Sequence, residues 1–295
     1  MPRDVLDFLG PERARAVIER QLRVERDRCH QAAFAANFAR SCPVDGAREE
    51  DYQQSLWMCD GALVLTGIRF KGGRIDAPFV DLLATTASWA EPERMSAVLD
   101  AVFERYKVFS PRSVRVLGEV APPALDEASW VVAMDQVIVV GDPTTMATAH
   151  DVTLTPVEDL SAASDFVQFA YDELFAAHPD MEEMLCPASF EALEQCDHVY
   201  WIGDRDHVRC GVLATEHAYG PMACGQCVIE EVVARPFRGQ RLASGAQRAL
   251  AQVLVESGVD QLIWGTIDAK NTPSRRTALR AGRQEVAAWH WISRS

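Results

Sequence analysis

Nowhere in its 295 residues does the chain hold an apolar run approaching the ~20 residues that a membrane-spanning helix needs, so no transmembrane segment and no membrane partner are expected. The opening residues, Met1-Pro-Arg-Asp-Val-Leu-Asp7, mix charges and have no apolar core of a secretion signal; a cytoplasmic protein is expected. Lysine is nearly missing, standing only at Lys71, Lys107 and Lys270, and the arginine-dominated remainder resembles a GC-rich bacterial coding bias. Positive charge is scarce overall: the formal net charge is −14, which excludes broad, nonspecific nucleic-acid binding. Eight cysteines are present, but only Cys224 and Cys227 have metal-like spacing. A structural zinc site draws four ligands, usually from two such pairs, so reduced thiols and no metal are expected. What remains, 48% hydrophobic and 24% charged, is ordinary globular material, long enough for two domains of about 150 residues.

The charge is unevenly spread. From Arg235 to the C-terminus ten basic residues stand against four acidic ones, a net +6, which leaves −20 of the total −14 to residues 1–234. A basic segment in an acidic chain suits either a polyanionic small ligand or a solvated helix face. The clearest punctuation is Val137-Ile-Val-Val-Gly-Asp-Pro-Thr-Thr145, a β-branched run ending in a turn. It places a boundary near residues 141–151 and predicts domains at 1–145 and 150–295.

In the second half the pattern predicts strands at 152–155, 198–203, 208–216, 225–234, 261–267 and 286–292. Helices are predicted at 162–176, 180–195, 244–257 and 273–281, the last closed by Gly282. Helices between strands with an antiparallel opening give an α+β fold on a mixed sheet. The first half repeats part of this. Pro78-Phe-Val-Asp-Leu-Leu-Ala84 matches Val228-Ile-Glu-Glu-Val-Val-Ala234 in apolar pattern, with Asp81 opposite Glu231, and a helix at 93–106 and a strand at 113–118 follow. An offset of about 150 residues reads as a diverged internal duplication. The first copy has only Thr85-Thr-Ala-Ser-Trp-Ala-Glu91 where the second has a glycine turn, and nothing in residues 1–140 rises above a degenerate α/β domain.

The chemistry concentrates in Ile229-Glu-Glu-Val-Val-Ala-Arg-Pro-Phe-Arg-Gly-Gln-Arg-Leu-Ala-Ser244. A strand runs into Pro236, a turn with Gly239 follows, and a long helix opens near Leu242. Such a junction aims free backbone N–H groups and a helix dipole at one point, an anion site to which Arg238 and Arg241 add charged donors. The stretch resembles motif A of the GNAT acetyltransferases, with Arg238-Gly239-Gln240-Arg241-Leu242-Ala243 on the family's R/Q-x-x-G-x-G/A. Ala234 takes the place of a valine, and Arg241 that of a glycine. A second piece, Asn271-Thr-Pro-Ser-Arg-Arg-Thr-Ala-Leu-Arg-Ala-Gly282, is similar to the family's N-x-x-A/S-(x)7-G, matching at Asn271, Ser274 and Gly282. Ala278 falls where the family often has an acid tyrosine, and Arg283 replaces a phenylalanine.

The resemblance covers residues 150–295 and implies a GNAT acyl-CoA N-acyltransferase fold, in tandem with a degenerate GNAT-like first copy. It implies an acyl group moved from acetyl-CoA or another acyl-CoA to an amine of a small molecule or peptide by direct attack. Val232, Val233 and Ala234 would bind the pantetheine through their backbone. Arg238, Gly239, Gln240, Arg241, Leu242, Ala243 and Ser244 would hold the pyrophosphate, and Asn271 and Ser274 would flank the arm. Glu230 is the expected base, or an ammonium-binding carboxylate, and Glu231 points to the other sheet face by alternation unless a bulge intervenes. His290 could assist or simply pack. The acidic stretch 172–194 is the expected rim for a cationic acceptor. Two alternatives remain: an aminoacyl-tRNA donor, with tRNA the one nucleic acid considered, and a non-catalytic CoA-binding protein.

Overall fold

A computed structural model describes residues 3–146, 151–182, 185–258 and 261–295. The boundary segment expected at 141–151 and the excursion at 180–195 therefore lie partly, at 147–150 and 183–184, outside the described residues. The chain divides into two compact units, Met1–Gln136 with Ala287–Ser295, and Val137–Val286. The last nine residues thus count with the first unit, where the sequence pattern grouped them with the second.

The first unit opens with helices α1 (Arg3–Leu9), α2 (Pro11–Asp27) and α3 (Ala32–Ser41). Strands β1 (Ser55–Cys59), β2 (Ala62–Phe70) and β3 (Pro78–Thr85), helix α4 (Pro92–Arg105), strand β4 (Ser113–Gly118) and the start of β5 (Trp130–Gly141), which counts with the second unit from Val137, follow. The order β1-β2-β3-β4 is extended by the C-terminal strand, whose Ala288–Ile292 pair antiparallel with Gly118–Val114. The alternating apolar face of β2, β3 and β4 buries Val64, Ile68, Val80, Leu82, Val114 and Val116 against Met95, Val98, Leu99 and Val102 of α4.

The second unit contains β6 (Thr153–Pro156), α5 (Leu160–Ala177), α6 (Phe190–Glu194), β7 (His198–Gly203), β8 (Arg209–Tyr219) and β9 (Cys224–Val233). It continues with α7 (Leu242–Glu256), β10 (Leu262–Asp268), α8 (Thr272–Ala281) and β11 (Gln284–Arg294). Strand order is β6-β7-β8-β9-β10, antiparallel except for β9 and β10. Local signals start and stop the helices: Asp159 accepts from Ser161 N and Ala162 N to cap α5, and Asn271 caps α8 through Ser274 N. Gly282, at φ 101°, closes α8 in the left-handed conformation that glycine adopts without steric cost. Among the described residues, the helix predicted over 180–195 is shorter than expected: a 3-10 turn at Pro179–Met181 and then α6, because Pro187 denies a helix its donor and Ser189 caps a fresh start.

Two clusters sandwich this sheet. One packs Val167, Ala170 and Tyr171 of α5 on Trp201, Val212 and Val232; the other packs Leu242, Ala246, Leu250 and Leu254 of α7 on Ile202, Leu213 and Ile263. Both copies run the same course, an antiparallel hairpin feeding a strand that leads through a helix to a parallel neighbour (β2-β3-α4-β4 and β8-β9-α7-β10). Among the described residues no helix is long and apolar enough to cross a membrane.

Candidate active site

The parallel ladder between β9 and β10 pairs Gly225–Cys227 with Leu262–Trp264, although β9 continues to Val233 and β10 to Asp268. The distal half of β9 therefore keeps β8 on one side only. Ala234 N donates to Cys210 O, so alternation turns the backbone N–H and C=O of Val233 toward the open side. In the first copy, β3 and β4 pair through Phe79–Leu82, and Asp81 is clamped there by Arg115 at 2.8 and 3.2 Å and by Arg69 at 3.3 Å.

A bulge decides which carboxylate meets the opening. Ala214 pairs with Glu230 but Thr215 with Val228, leaving Ile229 as the extra residue. Val228 and Val233 pack with the α7 cluster, Val232 with the α5 cluster, so parity flips between 228 and 232. Glu230 consequently turns toward α5 and Glu231 toward α7.

Glu230 is 3% exposed and fully engaged. Its Oε1 accepts from Tyr171 Oη at 3.1 Å and Glu231 N at 2.9 Å, and its Oε2 from Ala188 N at 2.9 Å. Burial raises its pKa against the lowering pull of these donors; Tyr171, desolvated and beside that charge, is raised too. Glu231 differs. Its Oε2 accepts from Gln247 Nε2 at 2.8 Å, while Oε1 is occluded from solvent and has no partner. Burial pushes its pKa up to about 7, with Gln247 and the charge of Arg283 pulling down and Glu230 adding to the rise.

Glu231 lines a cavity of about 590 Å³ with Tyr171, Leu174, His178, Val232, Val233 and Asn271. Ser274, Ala243 and Arg238 also border it, and a second cavity of about 340 Å³ shares Val233, Arg238 and Ala243 and reaches the start of α7. There Leu242, Ala243 and Ser244 present backbone N–H groups ahead of the first intrahelical bond, Gly245 N to Arg241 O, and no side chain caps them. Arg241, Arg276 and Arg280 line the same cavity. Arg241 sits at φ 65°, a left-handed conformation that costs a non-glycine residue roughly 1 kcal/mol, and Gly239 at φ 79° precedes it.

Of the residues singled out in the sequence, Glu231, Val232, Val233, Arg238, Gly239, Arg241, Leu242, Ala243, Ser244, Asn271 and Ser274 border one or both cavities. Gln240 is turned away, donating to Pro236 O at 3.2 Å, and Ala234 is buried behind the strand end. The guanidinium of Arg238 is occupied by carbonyls, Val233 O at 2.9 Å and Ala170 O at 3.2 Å, and so it ties the turn to β9 and α5. Ala278 is fully buried and Thr277 borders the cavity in its stead. His290 belongs to the first unit, buried, with Nε2 against Glu119 O at 2.9 Å. Sequence reasoning missed Tyr171, Gln247, Arg276, Arg280 and the role of Arg283. The basic run after residue 235 was the only hint of the arginines.

Comparison with solved structures decides the fold. An acetyltransferase of the GNAT family from Colwellia psychrerythraea is 11% identical, with a TM-score of 0.50 over 90% of this chain and 94% of that one. The chain has the GNAT fold. Weaker likenesses include a GCN5-related N-acetyltransferase from Sphaerobacter thermophilus (12% identity, TM-score 0.48, 85% and 82% covered). A tandem GNAT protein from the clavulanic acid biosynthesis pathway matches at 13% identity and a TM-score of 0.41, over 90% and 96%. No protein-family model matches the chain, and no curated protein does. The open edge of β9 and the arginine-rich start of α7 border adjoining cavities in the second unit.

Proposed function

We propose that the second unit is an N-acyltransferase that takes an acyl group from acyl-CoA and transfers it to a primary amine. The observation that carries the reading is the junction of an unpaired β9 edge with an uncapped α7 start, both bordering the cavity that Glu231 lines. Acyl-CoA fits these residues. The pyrophosphate would accept from the N–H groups of Leu242, Ala243 and Ser244 with Arg241, Arg276 and Arg280 around it. The pantetheine arm would lie along Val232 and Val233, flanked by Asn271 and Ser274, with the N–H of Val233 aimed where a thioester carbonyl gains charge.

Glu231 is the base in this reading. A carboxylate that titrates near neutrality can take a proton from an ammonium and still be ionised at cellular pH. The freed amine attacks the thioester carbon, the C–S bond breaks as the amide forms, the nitrogen gives up its second proton to solvent, and the thiolate takes its own proton from solvent, since Ala278 offers none. Glu230, with both oxygens taken up by three donors, braces Tyr171 and the chain at Ala188 instead. An amine acceptor of small-molecule or peptide origin suits a cavity whose wall carries Asp180, in the 3-10 turn after α5.

Calorimetry with acetyl-CoA tests this, comparing wild type with Ala243→Glu. A carboxylate in the first turn of α7 favours the helix dipole, so the fold should hold, but it occupies the anion site. Wild type should bind at micromolar affinity, and the variant at least tenfold more weakly. Absence of binding by wild type to acetyl-CoA and longer acyl-CoAs would sink the reading and turn attention to an aminoacyl-tRNA donor.

A further inference from the structure

A line of hydrogen bonds in the second unit ends on the cavity carboxylate. Gln247, 2% exposed in the second turn of α7, donates Nε2 to Glu231 Oε2 at 2.8 Å. Its Oε1 accepts from Arg283 Nη1 at 3.3 Å, and Arg283 Nη2 donates to Val139 O at 3.1 Å. The amide can lie only one way in this line. A guanidinium has donors and no acceptor, so Gln247 must turn its oxygen to Arg283, and its NH2 group then faces Glu231.

The space for Arg283 is built into the fold. A Cβ at Gly141 would stand 2.8 Å from Arg283 Cγ, and one at Gly265 would stand 3.2 Å from Nη2. Arg283 is 3% exposed, its pKa is pressed down to about 10 by burial, and the charge of Glu231 opposes that depression. A buried cation held one residue back from a buried carboxylate is costly unless the pair serves each other.

We propose that Gln247 and Arg283 are positioning residues for Glu231: they pin Oε2 and leave Oε1, closed off from solvent and without a donor, as the oxygen that takes a proton when an acceptor amine reaches it. The proposal rests on the acyltransferase reading of the cavity. Its chemical logic lies in the spacer. A direct guanidinium fork on Glu231 would hold the carboxylate ionised far below neutrality and spoil it as a base. With the glutamine amide between them, Arg283 tempers the effect of burial without abolishing it. The other charged groups that bear on Glu231 are Glu230 behind it and His178, Asp180, Arg238 and Lys270 around the cavity.

The test follows Glu231 directly, by NMR of glutamate carboxyl carbons in the full-length protein, with Glu231→Gln identifying the signal. Wild type should titrate near pH 7. Gln247→Met, similar in volume but without the amide, should move the midpoint upward by more than half a pH unit, with acetyl-CoA affinity changed less than about twofold. Circular dichroism checks the fold. If Gln247→Met does not fold, Arg283→Lys serves: it keeps the charge but cannot bridge Gln247 and Val139, and a smaller upward move is expected. A midpoint unchanged in the folded variant overturns the positioning role. A shifted midpoint in a protein that binds no acyl-CoA would leave the positioning of Oε2 standing and remove the transferase reading instead.

Discussion

Two adjacent glutamates carry opposite assignments because their oxygens meet different neighbours. Glu230 receives three donors, whereas Glu231 receives one and keeps Oε1 free. The raised pKa of Glu231 has a consequence for stability. The folded protein holds a proton there that the unfolded chain has released, so stability is full below the unfolded value near 4.5 and declines as pH rises to about 7. Glu231→Gln removes that penalty. Its stability relative to wild type should grow between pH 5 and pH 8 by on the order of 2 kcal/mol in urea denaturation. A difference that stays constant across that range would mean that Glu231 is ionised throughout, and with that its assignment as a base tuned to neutrality would fail.

At the scale of elements, the site depends on where β9 bulges and where α7 is seated. The bulge at Ile229 is a one-residue device that turns Glu231 and Val233 to the α7 side and Glu230 to α5. Helix α7 is seated closely on Val152: a Cβ added at Gly245 would stand 2.4 Å from Val152 Cγ2 and 3.2 Å from its Cβ. A short, stiff side chain cannot swing clear, so the helix must move. Gly245→Val is expected to cost about 2–3 kcal/mol in chemical denaturation. It should also weaken acetyl-CoA binding, because the three donor N–H groups lie within one turn of the displaced residue. Loss of stability with unchanged affinity would show that the anion site does not depend on this seating.

At the scale of the whole molecule, the chain folds back on itself in its last strand. The boundary between units falls inside β11, and residues 287–295 complete the first unit. Ile292 joins its core, Trp291 packs edge-on to Phe79 at 4.8 Å between ring centroids, and Arg115 lies over the rings of Trp289 and Trp291 at 4.6 and 5.5 Å. Truncation after Val286 strips β4 of a neighbour and opens that core. The truncated chain should lose amide-exchange protection through β3, β4 and α4, read by hydrogen exchange with mass spectrometry. Protection unchanged in those elements would mean that the first unit is stable without the strand.

The strand, turn and helix of the proposed anion site were legible in the sequence because each rests on short-range chemistry: β-branched runs, Pro236 ending a strand, Gly239 turning, Asn271 capping, Gly282 stopping a helix. The repeated course of strand, helix and strand in the two halves was legible for the same reason, since it rests on local apolar spacing. The length of the 180–195 helix was not, because composition there favoured a helix that Pro187 interrupts. What only the tertiary structure decided was pairing over distance. The sequence allowed either glutamate to meet the cavity, and a bulge against β8 chose Glu231. Arg283 read only as a substituted phenylalanine until Gln247, thirty-six residues earlier in the chain, stood beside it. Side-chain alternation follows from the backbone of one strand, but a bulge is fixed by the partner strand, and a buried charge by the space its neighbours leave.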